Sequence, residues 1–361
     1  MSSTLVRTTR RGASVGASLA ALALLLTACG GGSDSATTDA SEDGTSAEAS
    51  DEATEEAADG AFPVTITGAL GETTIEEKPE RVVTLGWGTD IAYSLGTLPV
   101  GIEAQTWGGD AEGYLPWFRE AVEAAGDELP TPIANTGEYD IDAIIALEPD
   151  LILAPNSGLT QEQFDQLSKF TNVVAYPEGP WVTPVDEQIE IAAEALGVPE
   201  KAQELIDATD AVVAEAAAAN PDLANYTFSY VYLGAEAGTL DIYPQGDGRV
   251  DLLVNLGLQP DPLWADYTPT GDAFTMTLGL ENSDQLNNSD VIITWFNDEA
   301  ERDTAIAQPL WQSIPAVQNG ATYLLLDKAL GLATTVSTPL SVPWAIDAYV
   351  PILNETVANV K

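Results

Sequence analysis

Short apolar runs alternate with helix-like segments along most of the chain. Residues 81–85 and 151–154 are rich in Val, Ile and Leu, and each run is followed by a segment whose apolar residues recur every three or four positions. Alternation of this kind predicts parallel α/β units. It stops near residue 184 and starts again near residue 226. Thr89 or Asp90 is expected to act as the N-cap of the helix after the first strand.

One long helical segment separates the two α/β stretches. Residues 199–220 contain few β-formers, Pro199 suits the first turn of a helix, and Asn220-Pro221 is a stop signal. A helix of this length spans about 33 Å. The pattern therefore predicts an α/β fold with two Rossmann-like lobes joined by a single long helix.

Two segments of the chain share one order of residue types. "IIALEPDLILAP" at 144–155 and "QLNNSDVIITWF" at 285–296 each give a turn, an Asp and then an apolar run. Asp150 and Asp290 occupy the matching places. Taken alone, a helix–Asp–strand order is common in α/β proteins. Within two α/β stretches, it predicts equivalent strands in the two lobes.

The N-terminus has the features of an export signal. Arg7, Arg10 and Arg11 precede an apolar stretch that is too short and too rich in Ala to be a membrane-spanning helix. Residues 26–29, "LTAC", resemble the lipobox of bacterial lipoproteins. That resemblance implies cleavage before Cys29 and lipidation of its thiol, which would anchor the protein to a membrane face. The alternative is an ordinary signal with an incidental cysteine.

Composition and pattern together predict five parts of the chain. The predicted parts are the signal at 1–29, a disordered tether at 30–60, an N-terminal lobe at 61–198, the interlobe helix at 199–222 and a C-terminal lobe at 223–361. The tether has ten acidic residues and no basic, aromatic or branched aliphatic residue, so it has nothing to bury.

The charge balance argues against nucleic acid as a partner. Nine Lys or Arg follow the signal, against 57 Asp and Glu in the whole chain. Binding of phosphate needs clustered cations, which this chain lacks. The acidic surface fits high solubility or a high-salt habitat, and it also fits a cationic ligand.

The lack of His and the single Cys exclude several chemistries. The chain has no His, and Cys29 is its only Cys. A Ser-His-Asp triad, zinc bound by His, haem bound by His and an intramolecular disulfide are therefore excluded. An exported hydrolase with paired carboxylates is permitted, but no spacing singles out such a pair.

The lobes resemble one family along their whole length. The motifs that carry the resemblance are "KPERVVTLG" from Lys78, "LPVGI" from Leu98, "IDAIIALEPDLILAPNSGLTQEQFDQLSK" from Ile141, "LGLENSDQLNNSDVIITW" from Leu278 and "WQSIPAVQNGATYLLLD" from Trp311. In this order, behind a lipobox, they resemble the class III solute-binding lipoproteins of ABC importers for ferric siderophores and cobalamin. Residues 139–169 are similar to actinobacterial iron-siderophore members.

The resemblance implies a function as well as a fold. It implies a ligand cleft between the lobes and a lipid-anchored monomer on the extracytoplasmic face of the cell membrane. Such a protein is no enzyme and has no cofactor or metal ligands of its own. It captures a ferric siderophore, which holds the iron, and delivers it to the permease subunits of an ABC importer. Cobalamin or haem binding remains open, as does a sensory or adhesion role on the same fold.

Candidate ligand-binding residues follow the predicted strands. In open α/β sheets, ligands bind beyond the carboxyl ends of strands, and flat aromatic side chains suit a bulky chelate. The candidates are Trp87, Trp107, Asn156, Ser157, Tyr176, Trp181, Tyr243, Arg249, Trp295 and Phe296. For each aromatic residue the alternative is a place in a lobe core, which is the role expected of Trp117 and Trp344.

Cations that could bind an anionic chelate are few. Arg119, Arg249 and Arg302 are the candidates, and each also suits a surface ion pair. Catecholate complexes are anionic and need several Arg. The sequence therefore favours a neutral or cationic chelate of the hydroxamate or mixed type.

The family resemblance also implies two carboxylates that face arginines of the permease. The matching positions are Asp142, where the family has Glu, and Glu281. This chain departs from the family pattern in two ways: Asp142 is shorter than Glu, and one extra residue precedes Asp290. The alternative is that both carboxylates cap helix starts.

Overall fold

The structure is a computed structural model that describes residues 61–234, 236–265, 267 and 274–361. The predicted signal, the lipidation site at Cys29 and the predicted tether at 30–60 lie outside the described residues. None of the helices in the described part combines the length and the apolar character needed to cross a membrane.

A β-hairpin opens the described chain. Strands β1 (Val64–Gly68) and β2 (Gly71–Ile75) pair antiparallel. The hairpin is held to the edge of the first sheet by two hydrogen bonds: Thr73 Oγ1 donates to Val173 O at 2.6 Å, and the backbone N of Ala69 donates to Tyr176 O at 2.9 Å.

Five parallel strands form the first sheet. In spatial order they are β5 (Thr131–Ile133), β4 (Gly101–Glu103), β3 (Val82–Thr84), β6 (Leu151–Ala154) and β7 (Asn172–Ala175). Residues of β3, β4 and β6 are all buried, which explains why these strands read as continuous apolar runs. The helices of this part are α1 (Thr89–Ser94), α2 (Pro116–Ala125), α3 (Ile141–Ala146) and α4 (Gln161–Leu167).

Two consecutive helices connect this sheet to the next. Helix α5 spans Val185–Ala195, and α6 spans Glu200–Ala219. Pro199 is the N-cap of α6 and Asn220 its C-cap, in the positions that the sequence predicted for the start and stop signals. A 3-10 turn, Pro221–Asn225, follows.

The second sheet is mixed. Its main path is β11 (Met276–Gly279), β9 (Thr239–Ile242), β8 (Thr227–Tyr232), β12 (Val291–Trp295) and β13 (Thr322–Leu325), and β10 (Gln259–Pro260) also pairs with β8. Strands β8, β10, β12 and β13 are parallel, whereas β9 and β11 run antiparallel to their neighbours. The helices are α7 (Gly248–Asn255), α8 (Glu299–Ile306), α9 (Pro315–Asn319), α10 (Lys328–Val336) and α11 (Ser341–Val357).

The repeated segments hold equivalent places in the two sheets. Asp150 precedes β6 and accepts hydrogen bonds from the backbone N of Glu80 and Arg81, just before the neighbouring strand β3. Asp290 precedes β12 and accepts from the backbone N and the hydroxyl of Thr227, which starts the neighbouring strand β8. Each Asp therefore ties the starts of two adjacent parallel strands together.

The expected cap of α1 is wrong. Gly88 is the N-cap and offers no side chain, while Thr89 and Asp90 lie inside the helix and are buried. Asp90 instead accepts 2.5 Å hydrogen bonds from Trp117 Nε1 and from Thr338 Oγ1. Asp90 is thus part of a buried contact with the second α/β half of the chain, whereas the Thr89 hydroxyl is hydrogen-bonded to that of Thr84.

Candidate functional site

The strand order places one crevice at the carboxyl ends of each sheet. In the first sheet the chain moves outward from β3 to β4 and β5, then returns to the other side of β3 with β6. In the second, β10 and β12 flank β8 on opposite sides. Ligands of open α/β sheets bind where the strand order reverses in this way. The loops after β3 and β6, and those after β8 and β12, therefore lie where a ligand is expected to bind.

The loop after β3 presents Trp87. Gly86 has a φ of 70°, and a Cβ at this position would collide with the carbonyl oxygen of Asn156. Glycine is therefore required for the close approach of this loop to the one after β6. The backbone N of Trp87 donates to that carbonyl at 3.2 Å, and the backbone N of Gly86 donates to the buried Glu103 carboxylate at 2.6 Å. These bonds fix the position from which the Trp87 ring projects.

Trp181 packs against Trp87 from a strained backbone position. The two ring centroids lie 5.2 Å apart at an interplanar angle of 49°. Trp181 has a φ of 63°, a left-handed conformation that costs energy for a residue with a side chain. Ser337, on the opposite wall, has a φ of 47°. Strained residues of this kind concentrate at ligand clamps, so the backbone of Trp181 points to a binding role, whereas Ser337 is the left-handed C-cap that ends α10.

A clamped arginine lies opposite these tryptophans. Asp247 caps α7 and accepts two hydrogen bonds at 2.7 Å from the guanidinium of Arg249, which lies 3.9 Å from the ring centroid of Tyr243. Burial disfavours the charged form of Arg249, but the hydrogen bonds and charge of Asp247 outweigh it and raise the pKa of the guanidinium. The cation is therefore permanently charged and held in one orientation.

An aromatic cluster follows β12. The Trp295 ring stacks on the Tyr232 ring with a centroid distance of 4.2 Å and an interplanar angle of 9°. Trp295 Nε1 donates to the Tyr243 hydroxyl at 3.2 Å. Trp107, from the first α/β half, meets Trp295 edge to face at 5.5 Å and donates from Nε1 to Asn297 Oδ1 at 3.0 Å. Side chains from both halves of the chain thus form this wall together.

Two adjoining cavities lie between these walls. The larger, of about 800 Å³, is lined from the first half by Trp87, Asn156 and Trp181, with α5 and α6 also contributing. The smaller, of about 350 Å³, is lined by Trp87, Trp107, Tyr230, Arg249, Trp295 and Asn297, among others. Because Trp87, Arg249 and Thr335 line both cavities, the two adjoin, and together they are called the cleft. The larger cavity alone is large enough for a bulky ligand.

The charges in this cleft are unequal. Arg249 is the one Lys or Arg among the described residues that line either cavity, and Asp186, Asp210, Asp247 and Asp251 also line the larger one. Burial, followed by the charges of Asp210 and Glu190, raises the pKa of Asp186. Burial also raises the pKa of Asp251, with the charge of Asp247 adding to it and the Gly246 hydrogen bond opposing it. The cleft therefore has an excess of negative charge.

Most of the sequence candidates come together in this cleft. Trp87, Trp107, Asn156, Trp181, Arg249 and Trp295 line it, and Tyr243 lies behind Arg249. Three others do not line it: Ser157 is fully buried, Tyr176 donates its hydroxyl to Leu159 O, and Phe296 is 1% exposed within a lobe core. Trp117 is buried and Trp344 packs on it, as expected for core residues.

Several lining residues have no obvious sequence signal. Asp247, Thr335, Ser337 and Asn297 face the cleft from loops and helix ends. Only Asp247 had a usable pattern, an Asp-Gly pair at a helix start followed by Arg. Arg119 and Arg302 lie outside the lining and form ion pairs, Arg119 with Asp110 and Glu112, and Arg302 with Asp303.

The two predicted docking carboxylates are exposed. Asp142 lies in the first turn of α3, and Glu281 lies in the 3-10 helix Leu280–Leu286. Neither acts as a cap, because Asp140 caps α3 and Gly279 precedes the 3-10 helix without a side-chain bond. Among the described residues neither carboxylate has a hydrogen-bond partner, so both are available to a protein partner.

Comparison with known proteins agrees with this geometry. A ferric enterobactin-binding periplasmic protein of Escherichia coli is 27% identical over 73% of this chain and 84% of its own length. A putative ABC transporter substrate-binding lipoprotein of Bacillus subtilis is 25% identical over 72% of this chain and 80% of its own. The structure of Streptococcus pneumoniae PiaA in complex with ferrichrome superposes with a TM-score of 0.72 and 31% identity, covering 82% of this chain and 99% of PiaA.

The family assignment rests on a match that covers more than half of the chain. The sequence model of the family described as periplasmic binding proteins matches residues 82–329. This stretch contains both sheets apart from the opening hairpin, and it includes every aromatic residue of the cleft. The two-lobed α/β fold expected from the sequence is that of the siderophore-binding relatives. The chain therefore belongs to the periplasmic binding protein family, in the group of substrate-binding proteins of ABC importers for siderophores and cobalamin.

Proposed function

We propose that this protein binds a ferric siderophore in the cleft between its two lobes and delivers it to an ABC importer. The observation that carries the proposal is the aromatic cleft itself, in which Trp87 and Trp181 face Arg249 across a cavity of about 800 Å³. Large flat side chains bury much area at a low cost in rotamer entropy, which suits a bulky, partly apolar chelate. The names of the relatives, which include ferric enterobactin-binding and ferric citrate-binding proteins, support this ligand class.

The charge of the cleft favours a hydroxamate or mixed chelate over a catecholate. One arginine lines the described part of the cleft, and Asp247 already neutralises it. A triply anionic catecholate complex would meet four carboxylates and no unpaired cation there. Hydroxamate complexes are neutral or cationic, and their carbonyl oxygens can accept hydrogen bonds from the remaining guanidinium N–H groups.

The proposal includes a lipid anchor at Cys29. One relative is itself named as a lipoprotein, and residues 26–29 resemble a lipobox. Lipidation of this thiol would hold the lobes at the extracytoplasmic face of the membrane, with residues 30–60 as a tether. Metabolic labelling with a palmitate analogue should mark the wild-type chain and should fail to mark Cys29→Ala.

Quenching of tryptophan fluorescence tests the ligand class. The lobes without the signal are titrated with ferrichrome, a ferrioxamine, ferric enterobactin, haemin and cobalamin. We expect sub-micromolar binding of at least one ferric hydroxamate. Binding of haemin or cobalamin alone would replace the siderophore proposal with one of those ligands, and no response to any of the five compounds would contradict it.

Two variants connect the binding to this cleft. Arg249→Lys keeps the charge but loses the planar fork that Asp247 orients, so the affinity should fall by about tenfold. Arg302→Lys makes the same change at an arginine outside the cleft and should bind like the wild type. Equal siderophore affinities of the two variants would show that Arg249 does not contact the ligand.

A further inference from the structure

A carboxylate that lines neither cavity lies directly behind the aromatic cluster. Glu301 is in the first turn of α8, three residues after Asp298, which caps the helix by accepting from the backbone N of Glu301 at 2.8 Å. An Asp and a Glu at this spacing predict a capping box, in which the Glu accepts from the backbone N of the cap residue. If Glu301 only capped the helix, its carboxylate would therefore bond to Asp298.

The observed bonds of Glu301 reach beyond the cap. Its Oε2 accepts at 2.6 Å from the backbone N of Asn297, one residue before the cap, and its Oε1 accepts at 2.6 Å from the hydroxyl of Tyr232, which ends β8. A Cβ at Gly234 would collide with this oxygen and with the Tyr232 ring, so a glycine stands where the contact needs room. Both oxygens of Glu301 thus hold residues of the aromatic wall.

These contacts form a chain of hydrogen bonds that runs in one direction. Trp107 Nε1 donates to Asn297 Oδ1 at 3.0 Å, and Asn297 Nδ2 donates to the Tyr232 hydroxyl at 3.4 Å. That hydroxyl donates in turn to Glu301. Burial raises the pKa of Tyr232, and the hydrogen bond and charge of Glu301 add to this, so the hydroxyl keeps the proton that it donates. An indole N–H can only donate and a carboxylate can only accept, so the two ends fix the orientation of the amide and the hydroxyl between them.

The far end of this chain is a contact between the lobes at the smaller cavity. Trp107 follows β4 in the first lobe, whereas Asn297 follows β12 in the second. Trp107 also meets Trp295 edge to face, and Trp295 stacks on Tyr232. The orientations of Tyr232 and Asn297 therefore determine where both tryptophan rings lie.

From this chain we infer that Glu301 is a positioning residue for ligand binding, which acts through Tyr232 and Asn297 to hold the Trp107 contact between the lobes. The inference rests on the proposed function, because it takes the smaller cavity as part of the siderophore site. Glu301 lines neither cavity, so it acts without touching the ligand.

Glu301→Gln changes the direction of the hydrogen bonds without changing the size of the side chain. Glutamine offers one acceptor and one donor where two donors, the Tyr232 hydroxyl and the backbone N of Asn297, converge. If its oxygen accepts from the backbone N, its amide nitrogen donates to Tyr232, and the hydroxyl then donates to the side-chain oxygen of Asn297. This amide must turn its nitrogen toward Trp107, so two donors face each other and the contact between the lobes is lost.

Asn297→Asp should restore the contact in this variant. Both oxygens of an aspartate accept, so one takes the bond from Tyr232 and the other takes the bond from Trp107. In the presence of Glu301 the same change fails, because the Tyr232 hydroxyl already donates to Glu301 and two acceptors then face each other.

We expect the siderophore affinity to fall by about tenfold in each single variant and to return to within about twofold of the wild type in the double variant Glu301→Gln/Asn297→Asp. Affinity is measured by tryptophan fluorescence with the compound, among the five titrated above, that the wild type binds most tightly. Glu299→Gln is the control, since it removes an exposed carboxylate from the same turn of α8, and it should bind like the wild type.

A second measurement needs no ligand. The NMR signal of the Trp107 indole N–H is identified by its absence in Trp107→Phe. In Glu301→Gln this signal should move upfield and exchange faster with solvent, because the indole loses its acceptor. In the double variant the signal should return to its position in the wild type.

The outcomes separate the two proposals. An unchanged Trp107 signal or an unchanged affinity in Glu301→Gln would overturn the positioning role while siderophore binding stands. Equal losses of affinity in Glu301→Gln and in the double variant would also overturn it, since they would indicate general damage to α8. A chain that binds none of the five compounds would contradict the positioning role and the proposed function together.

Discussion

The hydroxyl of Thr338 donates a 2.5 Å hydrogen bond to the carboxylate of Asp90, and it joins the two lobes through a pair of buried side chains. The same carboxylate oxygen accepts from Trp117 Nε1 at 2.5 Å. Asp90 is 2% exposed and Thr338 is 1% exposed. A carboxyl group buried at this contact connects the protonation of one residue to the stability of the whole two-lobed unit.

The stability of the fold should depend on pH through Asp90. Burial raises the pKa of Asp90 from 3.8 to about 6, while hydrogen bonds from Thr338 and Trp117 oppose the shift. Because the folded-state pKa is above the unfolded value, the stabilisation is fully present below about pH 4. It is lost as the pH rises through about 6. The loss should be on the order of 3 kcal/mol.

Denaturant unfolding of the wild type and of Asp90→Asn between pH 4 and pH 8 measures this effect. The amide oxygen of Asn can still accept from Trp117 and Thr338, so the variant should fold. As the pH rises, the unfolding free energy of the wild type should fall relative to that of the variant. A difference that stays constant across this range would show that Asp90 does not titrate with a raised pKa.

Sequence reasoning predicted the parts of the fold that depend on local pattern. The alternation of apolar runs and helices placed β3, β6, β8 and β12, and the start and stop signals placed α6. Asp150 and Asp290 were recognised as equivalent because each occupies a position fixed by its own strand. Local sequence carries this information directly, since strand burial and helix caps involve near neighbours.

The site was predicted only in part, for physical reasons that particular residues make clear. Trp295 and Phe296 are adjacent where β12 ends, and neighbouring side chains on an extended chain point to opposite sides, so only Trp295 lines the cleft. Asp90 resembled a helix cap because it is a short polar residue at the start of a helical segment. Its partner, Thr338, is 248 residues away in sequence, so no local pattern points to the contact. The left-handed backbone of Trp181 likewise depends on tertiary contacts that no local pattern encodes.

Replacing Trp181 should separate binding from stability. Both Trp181→Ala and Trp181→Gly lose the ring that packs on Trp87, so the affinity for the siderophore should fall by at least tenfold in each. Glycine accepts a φ of 63° without strain, so the Gly variant should be about 1 kcal/mol more stable than the Ala variant. Titration and thermal unfolding of the same samples give both quantities.

Trp344→Ala is the control for this pair. Trp344 packs on Trp117 at 5.5 Å and does not line the cleft, so its loss should lower stability and leave the affinity unchanged. If the Gly and Ala variants at position 181 are equally stable, the backbone there is not strained.

The two repeated aspartates should stabilise their lobes unequally. Asp290→Ala removes a carboxylate that satisfies the part-buried backbone N of Thr227, so it should lower the unfolding free energy by about 2 kcal/mol. Asp150→Ala should cost about 1 kcal/mol, because the backbone N–H groups of Glu80 and Arg81 are exposed and can bond to water instead. Urea unfolding measures both, with Asp207→Ala as a surface control. Neither variant should alter siderophore affinity, and a larger cost for Asp150 would contradict this ranking.

Removal of the two exposed carboxylates should impair uptake without impairing binding. Asp142 and Glu281 lie at the starts of short helices and have no partner among the described residues, whereas complementary charges at a docking surface speed and orient association. Asp142→Ala/Glu281→Ala should reduce uptake of radiolabelled iron from the siderophore by about tenfold in cells that lack the wild-type copy. Its affinity for the siderophore should match that of the wild type. Asp142→Glu keeps the charge and should retain uptake, and Glu120→Ala removes an exposed carboxylate from α2 and should have no effect. Normal uptake by the double variant would place the permease contact elsewhere on the lobes.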